Sequence, residues 1–183
     1  MRKLAAALGL AALLPTAALS TEIAITVAGE ANGTIVIDLL EDIAPEHAKR
    51  IATLAADGQY NDVVFHRVID GFMAQTGDVT HGKIGSNMRL AGTGGSSLGP
   101  LKAEFSDVPF DRGVVGMARS QSPNSANSQF FIMFKEGHFL NGQYTVVGRV
   151  TSGMDVVDAI KRGTGPNGSV VGQPDRIVSV EVR

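Results

Sequence analysis

Between residues 22 and 182 the chain contains eight apolar-rich segments of only six or seven residues: "EIAITV", "TIVIDLL", "VVFHRVI", "FMAQTG", "GVVGMA", "SQFFIMF", "YTVVGRV" and "RIVSVEV". Helices in compact domains run to about 10–14 residues, whereas six or seven is an ordinary strand length. "EIAITV" alternates Ile23, Ile25 and Val27 with smaller or polar neighbours, and Asn32-Gly33 and Asp70-Gly71 read as tight turns between segments. Two other stretches have helical spacing. "APEHAKRIATLAADG", 44–58, stripes Ala48, Ile51, Leu54 and Ala55 on one face, with Pro45 near its start and Gly58 at its end. "SGMDVVDAIKRG", 152–163, buries Val156, Val157 and Ile160, with Ser152 as its cap. The pattern predicts a mainly β chain, a closed eight-stranded antiparallel β-barrel capped by two α-helices, because closure removes exposed edges. A β-sandwich is the competing architecture.

The first twenty residues stand apart. "MRKLAAALGLAALLPTAALS" has Arg2 and Lys3, an apolar run from Leu4 to Leu14, then Pro15 and small residues, with Ala18 and Ser20 before a cleavage point at Thr21. This predicts a signal peptide over 1–20, a single domain over 21–183, and a periplasmic location with no membrane attachment after cleavage. The run is short for a membrane span, and without cysteine there is no lipoprotein anchor. Cleavage removes two of 16 basic residues and none of 18 acidic ones, leaving 14 against 18, net −4. Such a balance offers nothing to nucleic acid. The absence of cysteine also excludes disulfides, thiolate catalysis and thiolate metal sites.

Other motifs point nowhere chemical. "GSSLG", 95–99, satisfies G-x-S-x-G, but glycines precede it and Pro100 follows, where a nucleophile elbow needs a strand and then a helix. "GTGGSS" lacks the lysine of a phosphate-binding loop. The bland reading of 81–100 is a surface loop whose glycines let backbone approach a ligand. His47, His66, His81 and His138 show no i, i+4 pair, so no metal and no cofactor is expected. His47 is placed on the exposed face of the first helix, and His66 alternates away from Arg67.

The chemistry-bearing stretch is "FHRVIDGFMAQTGD", 65–78. It sets a cation, Arg67, and an amide, Gln75, into strands that otherwise read as core. A buried arginine with no carboxylate is costly. A partly open pocket removes the difficulty, with Phe72, Met73, Phe131 and Leu140 as walls, Arg67 at the rim and Gln75 holding the guanidinium. Phe130, the neighbour of Phe131, is expected in the ordinary core.

"FHRVIDGFMAQTGD", "GVVGMARSQSPNSANSQFFI" and "FLNGQYTVVGRVTSGMDVVDAI" resemble the signature blocks of the cyclophilins, the cyclosporin-binding peptidyl-prolyl cis–trans isomerases, and the similarity runs from about Glu22 to the C-terminus. The third block resembles bacterial members. The resemblance implies an eight-stranded barrel with two helices that accelerates rotation about X–Pro bonds and assists folding of exported proteins. It implies Arg67 as catalytic arginine with Gln75 in support, and a proline pocket of Phe72, Met73, Phe131 and Leu140. Peptide contacts would come from Gly92, Ala118, Arg119, Ser120, Gln129, Phe139 and Tyr144. The partners implied are proline-containing polypeptides, bound by a monomer. Tyr144 stands where many members carry histidine and Arg119 where asparagine is common. Phe139 stands where drug-sensitive members carry tryptophan, so cyclosporin is expected to bind weakly.

Overall fold

A computed structural model describes residues 20–183. The expected signal peptide, apart from Ser20, lies outside the described residues. Among the described residues eight strands are present: β1 (Glu22–Ala28), β2 (Gly33–Leu39), β3 (Arg67–Ile69), β4 (Met73–Thr76), β5 (Val114–Met117), β6 (Phe130–Met133), β7 (Val146–Ser152) and β8 (Arg176–Val182). Two α-helices accompany them, α1 (Pro45–Ala56) and α2 (Met154–Ala159). All strand pairs are antiparallel, in the order β3-β4-β6-β5-β7-β2-β1-β8.

The described residues are mainly β with two helices, as expected, but the sheet does not close as a continuous ladder. β3 and β8 are the two ends of an open, curled sheet. The reason lies in "VVFHRVI", of which only the last three residues join β3. Its first half is spent elsewhere: Val64 N–H donates to Gly82 O at 2.8 Å, Phe65 N–H to Asp175 O at 2.9 Å, and Ile177 N–H to Val63 O at 2.8 Å. A few bonds from an irregular segment thus stand where a barrel would have a seam. At the neighbouring edge, Glu22 and Arg183 exchange backbone hydrogen bonds of 3.1 and 2.8 Å, so β1 and β8 bring the two ends of the domain side by side.

The period of two organises the interior. Ile23 pairs with Ile37 and Ile25 with Ile35 across β1 and β2, all buried on the inner face. α1 adds Ala48, Ile51, Leu54 and Ala55 to the same core, and Phe130 and Ile132 of β6 complete it. Burying a side chain of this size is worth about 1.5–3 kcal/mol, so this cluster is the main source of stability. A second apolar cluster lies on the other face. It is built from Met73, Phe110, Val114, Phe131, Met133, Leu140 and Val146. Strand β6, "FFIM", is buried on both faces because it separates the two clusters.

Three local expectations fail for physical reasons. Asn32-Gly33 is not a two-residue turn: Gly33 already pairs with Val27, and the connection spans 29–32, braced by Asn32 Nδ2 donating to Gly29 O at 2.8 Å. Ser152 does not cap α2, which is shorter than expected. Ser152 is the last residue of β7, and Gly153 takes the N-cap with φ of 85°. His47 is not exposed at all. It is fully buried, its Nδ1 2.6 Å from Glu104 Oε2, and the same carboxylate accepts the backbone N–H groups of Glu46 and His47. Glu104 lies 57 residues away, so helical periodicity could not reveal it.

Candidate active site

The outer face of β3, β4 and β6 positions the site. Register places Arg67 opposite Gln75 and Gln75 opposite Phe131, and beside them Ile69 opposite Met73 and Met73 opposite Met133. Alternation sends Val68, Ala74, Phe130 and Ile132 inward, leaving Arg67, Gln75 and Phe131 in a row outside. Gly116, opposite Phe131 on β5, leaves room for that ring: a Cβ there would overlap both Phe131 and Phe110. Phe131 stacks on Phe110 with centroids 5.8 Å apart and meets Tyr144 edge-on at 5.9 Å.

A cleft of about 250 Å3 opens over this row, lined by Arg67, Phe72, Met73, Gln75, Phe131 and Leu140, with Ala118, Arg119, Phe139 and Tyr144 at its sides. Met73, Phe131 and Leu140 are buried and form its floor, while Phe139 is 66 % exposed and leans on Phe72 at 5.5 Å. A second cleft of about 210 Å3 shares Gln75, Ala118 and Arg119 with the first and continues over Gly92, Ser120 and Gln129. All thirteen residues singled out in the sequence therefore line one of two adjoining clefts.

Arg67 is held from several sides. Its Nε donates to Asn167 O at 2.9 Å and its Nη1 to Gln75 Oε1 at 3.1 Å, with Met73 Sδ at 3.9 Å. Among the described residues Nη2 has no partner. Burial pulls the guanidinium below its ordinary pKa, but arginine stays protonated in proteins. Gln75 is oriented in turn: its Nε2 donates to Gln129 Oε1 at 3.0 Å, and Gln129 Nε2 donates to Gly92 O at 3.0 Å and Gly94 O at 2.8 Å. An unbroken chain of amides thus runs from the glycine-rich loop to the cation. Tyr144 is covered by Arg119, whose guanidinium carbon sits 4.3 Å from the ring centroid.

A sequence model described as "Cyclophilin type peptidyl-prolyl cis-trans isomerase/CLD" matches residues 23–182. The chain belongs to the cyclophilin family. Among curated cyclophilin relatives, a probable peptidyl-prolyl cis-trans isomerase of Brucella suis is 56% identical over 153 residues, covering 82% of this chain and 78% of the relative. A peptidyl-prolyl cis-trans isomerase of Acinetobacter baylyi is 37% identical over 161 residues, covering 82% and 81%. Among solved structures, a cyclophilin of Hirschia baltica superposes with a TM-score of 0.70 at 26% identity, over 87% of this chain and 73% of that one. A cyclophilin-type isomerase of Cryptosporidium parvum, crystallised in the presence of the dipeptide Ala-Pro, gives 0.74 at 25% identity, over 88% and 98%.

Two residues important to this cyclophilin's cleft escaped the sequence reading. Asn167 acts through its backbone carbonyl, which no side-chain pattern betrays; its φ of 55° holds the turn that presents it. Asp78 is the other. Fully buried, its Oδ1 accepts the N–H groups of Thr80 and His81, and its Oδ2 those of Gly92 and Gly94. Burial works against the charge, but those four backbone donors outweigh it and hold the carboxyl below its usual range. Its signal was the Gly-Asp pair closing "FHRVIDGFMAQTGD" ahead of a glycine-rich loop in need of an anchor. His66 does turn away from Arg67, as expected, into a buried site where neither ring nitrogen has a partner among the described residues. Burial lowers its pKa, so it is neutral near pH 7. Ser97 of "GSSLG" is an exposed loop residue with no strand or helix adjoining it.

Proposed function

We infer that this cyclophilin is a peptidyl-prolyl cis–trans isomerase acting on X–Pro bonds in flexible polypeptides. An X–Pro bond turns slowly because amide resonance sets a barrier of about 18–20 kcal/mol. No covalent bond has to break. At the top of the barrier the amide is twisted, and the prolyl nitrogen regains a lone pair that the planar forms lack. A fixed cation aimed at that lone pair stabilises the twisted state more than either planar state, and such selectivity is what catalysis requires. The observation that carries the reading is the two unspent N–H donors on Arg67 Nη2 at the edge of a cleft floored by Met73, Phe131 and Leu140. An apolar floor suits a proline ring.

The two clefts also set a direction for the peptide. Gln75 belongs to both clefts and holds Arg67, so the cation stands at their junction. The ring atom it must reach is the nitrogen, which is bonded to the preceding residue. A proline ring in the first cleft therefore directs the preceding chain into the second, along Ala118, Arg119, Ser120 and Gln129. The test is a protease-coupled isomerisation assay on a short Ala-Pro-Phe peptide. The expected result is a rate enhancement proportional to enzyme concentration; no enhancement above the thermal rate would end the proposal.

We also propose that the protein is exported and serves the folding of exported chains, on the strength of the charged, apolar and small-residue pattern in 1–20. N-terminal sequencing of protein from its host would place the start near Thr21, and a mature start at Met1 would refute export. Cyclosporin would bind weakly, since Phe139 offers apolar surface but no N–H. Phe139→Trp is expected to tighten binding by about 1 kcal/mol, the worth of one hydrogen bond. Titration calorimetry on both proteins measures it, and equal affinities would show that this side chain does not meet the drug.

A further inference from the structure

Carboxylates outnumber cations in this chain, 18 to 16, yet the residues lining the two clefts include two arginines and neither aspartate nor glutamate. Arg119 lines both clefts. Its Nε and Nη2 donate to Gln143 O at 3.2 and 2.9 Å, and its Nη1 donates to Ser120 O and Gln121 O at 2.9 and 3.2 Å. A guanidinium has five N–H donors, so these four bonds leave one unspent. Every acceptor is an uncharged carbonyl, and the stacked Tyr144 ring is uncharged too. Arg67 is likewise surrounded by neutral groups: the Asn167 carbonyl, the Gln75 amide and the Met73 sulfur. Among the described residues neither arginine belongs to an ion pair. Asp78, the carboxylate bound to Gly92 and Gly94 of the second cleft, is buried and turned to four backbone N–H groups. The junction of the clefts thus carries two uncompensated positive charges, each fixed in place by hydrogen bonds.

We propose that Arg119 is a specificity-determining residue, and that the preferred substrates carry an acidic residue immediately before the proline. This rests on the isomerase reading above. With the ring in the first cleft, the preceding residue sits where the two clefts meet, beside Arg119. A carboxylate there gains a donor and two cations without displacing any protein carboxylate. A lysine there meets like charge. Only part of this attraction survives solvent, because Arg119 is half-buried at a cleft rim and exposed charge pairs are weak.

The experiment compares peptides that differ only before proline, Glu-Pro, Ala-Pro and Lys-Pro, by NMR exchange spectroscopy, which needs no coupling protease. Catalytic efficiency is expected to fall in that order, with Glu-Pro about tenfold above Lys-Pro at low ionic strength, and to converge near 1 M salt, where the Debye length is about 3 Å. Arg119→Gln is expected to lower the Glu-to-Lys ratio to about threefold, the share left to Arg67, whatever it does to the Ala-Pro rate. Activity on all three peptides without this order, or a ratio that Arg119→Gln leaves unchanged, overturns the role of Arg119 and leaves the isomerase reading standing. Activity on none of them overturns both. The salt series on the unaltered protein decides the acidic preference even if the variant folds poorly.

Discussion

Arg67→Ala is expected to lower catalytic efficiency on an Ala-Pro peptide by about 100- to 1,000-fold, the usual effect of removing one preorganised donor at a developing charge. The fold should survive, since Arg67 lies on the outer face and its removal opens no void in the inner core. Arg67→Lys is expected to recover little. The guanidinium reaches Asn167 O and Gln75 Oε1 through two nitrogens and still presents a third to the cleft. An ammonium is a single point on a flexible stem and cannot keep that geometry. Because arginine does not deprotonate in the usable range, the efficiency of the unaltered enzyme should be nearly flat between about pH 6 and 9. Coupled-assay kinetics across pH on all three proteins, with circular dichroism as the folding control, measures this. A limb near the histidine pKa, or an alanine variant as active as the parent, would remove Arg67 from the chemistry.

The second large effect is expected at Asp78. Its two oxygens accept four backbone N–H groups, two from each end of the 80–94 loop. Asp78→Ala would leave those donors unpaired in a buried site, at about 1–3 kcal/mol for the first of them and less for those that find water. A total of about 3 kcal/mol would lower Tm by about 6–12 °C in a domain of this size. Asp78→Asn should be nearly as harmful, because its amide turns two donors toward two others. Activity should fall as well, since Gly92 and Gly94 carry the carbonyls that orient Gln129, and through it Gln75 and Arg67. The sign of the pH dependence follows from the depressed carboxyl. Its stabilisation is complete above the unfolded aspartate value of about 3.9 and is lost as pH falls through the lower folded value. Scanning calorimetry of parent and variants checks this; an Asp78→Ala protein that melts with the parent would show that the loop does not need its anchor.

How far sequence reading reached depended on whether a feature was local. The row of Arg67, Gln75 and Phe131 could be anticipated because polar side chains stood at strand positions that should have been apolar, and a period of two carried them to one face. α1 was legible from its stripe and from Pro45 and Gly58. Apart from the local turn at Asn32-Gly33, the failures involve distant partners. His47 is buried by a carboxylate brought from the loop before β5, Asn167 contributes a main-chain atom from 100 residues beyond Arg67, and β3 is short because 63–65 bonds to 82 and 175–177. Ser152 is excluded as a cap by β7 pairing, which outcompetes a local preference. The two clefts were legible as a list of residues, but not as two joined spaces; that took the register of three strands and the loop that Asp78 anchors.

The backbone exchange between Glu22 and Arg183 has a practical meaning. The two ends of the domain are, in effect, already spliced by hydrogen bonds at the β1–β8 edge, while β4 and β6, which carry the cleft, lie toward the other end of the strand order. A few residues joining Glu22 to Arg183 would make the domain circular, so new termini could be cut into an exposed turn away from the cleft, such as the one at 57–59 after α1. For the same reason the domain could be mounted whole inside a surface loop of another protein, entering and leaving at one corner with its catalytic face untouched.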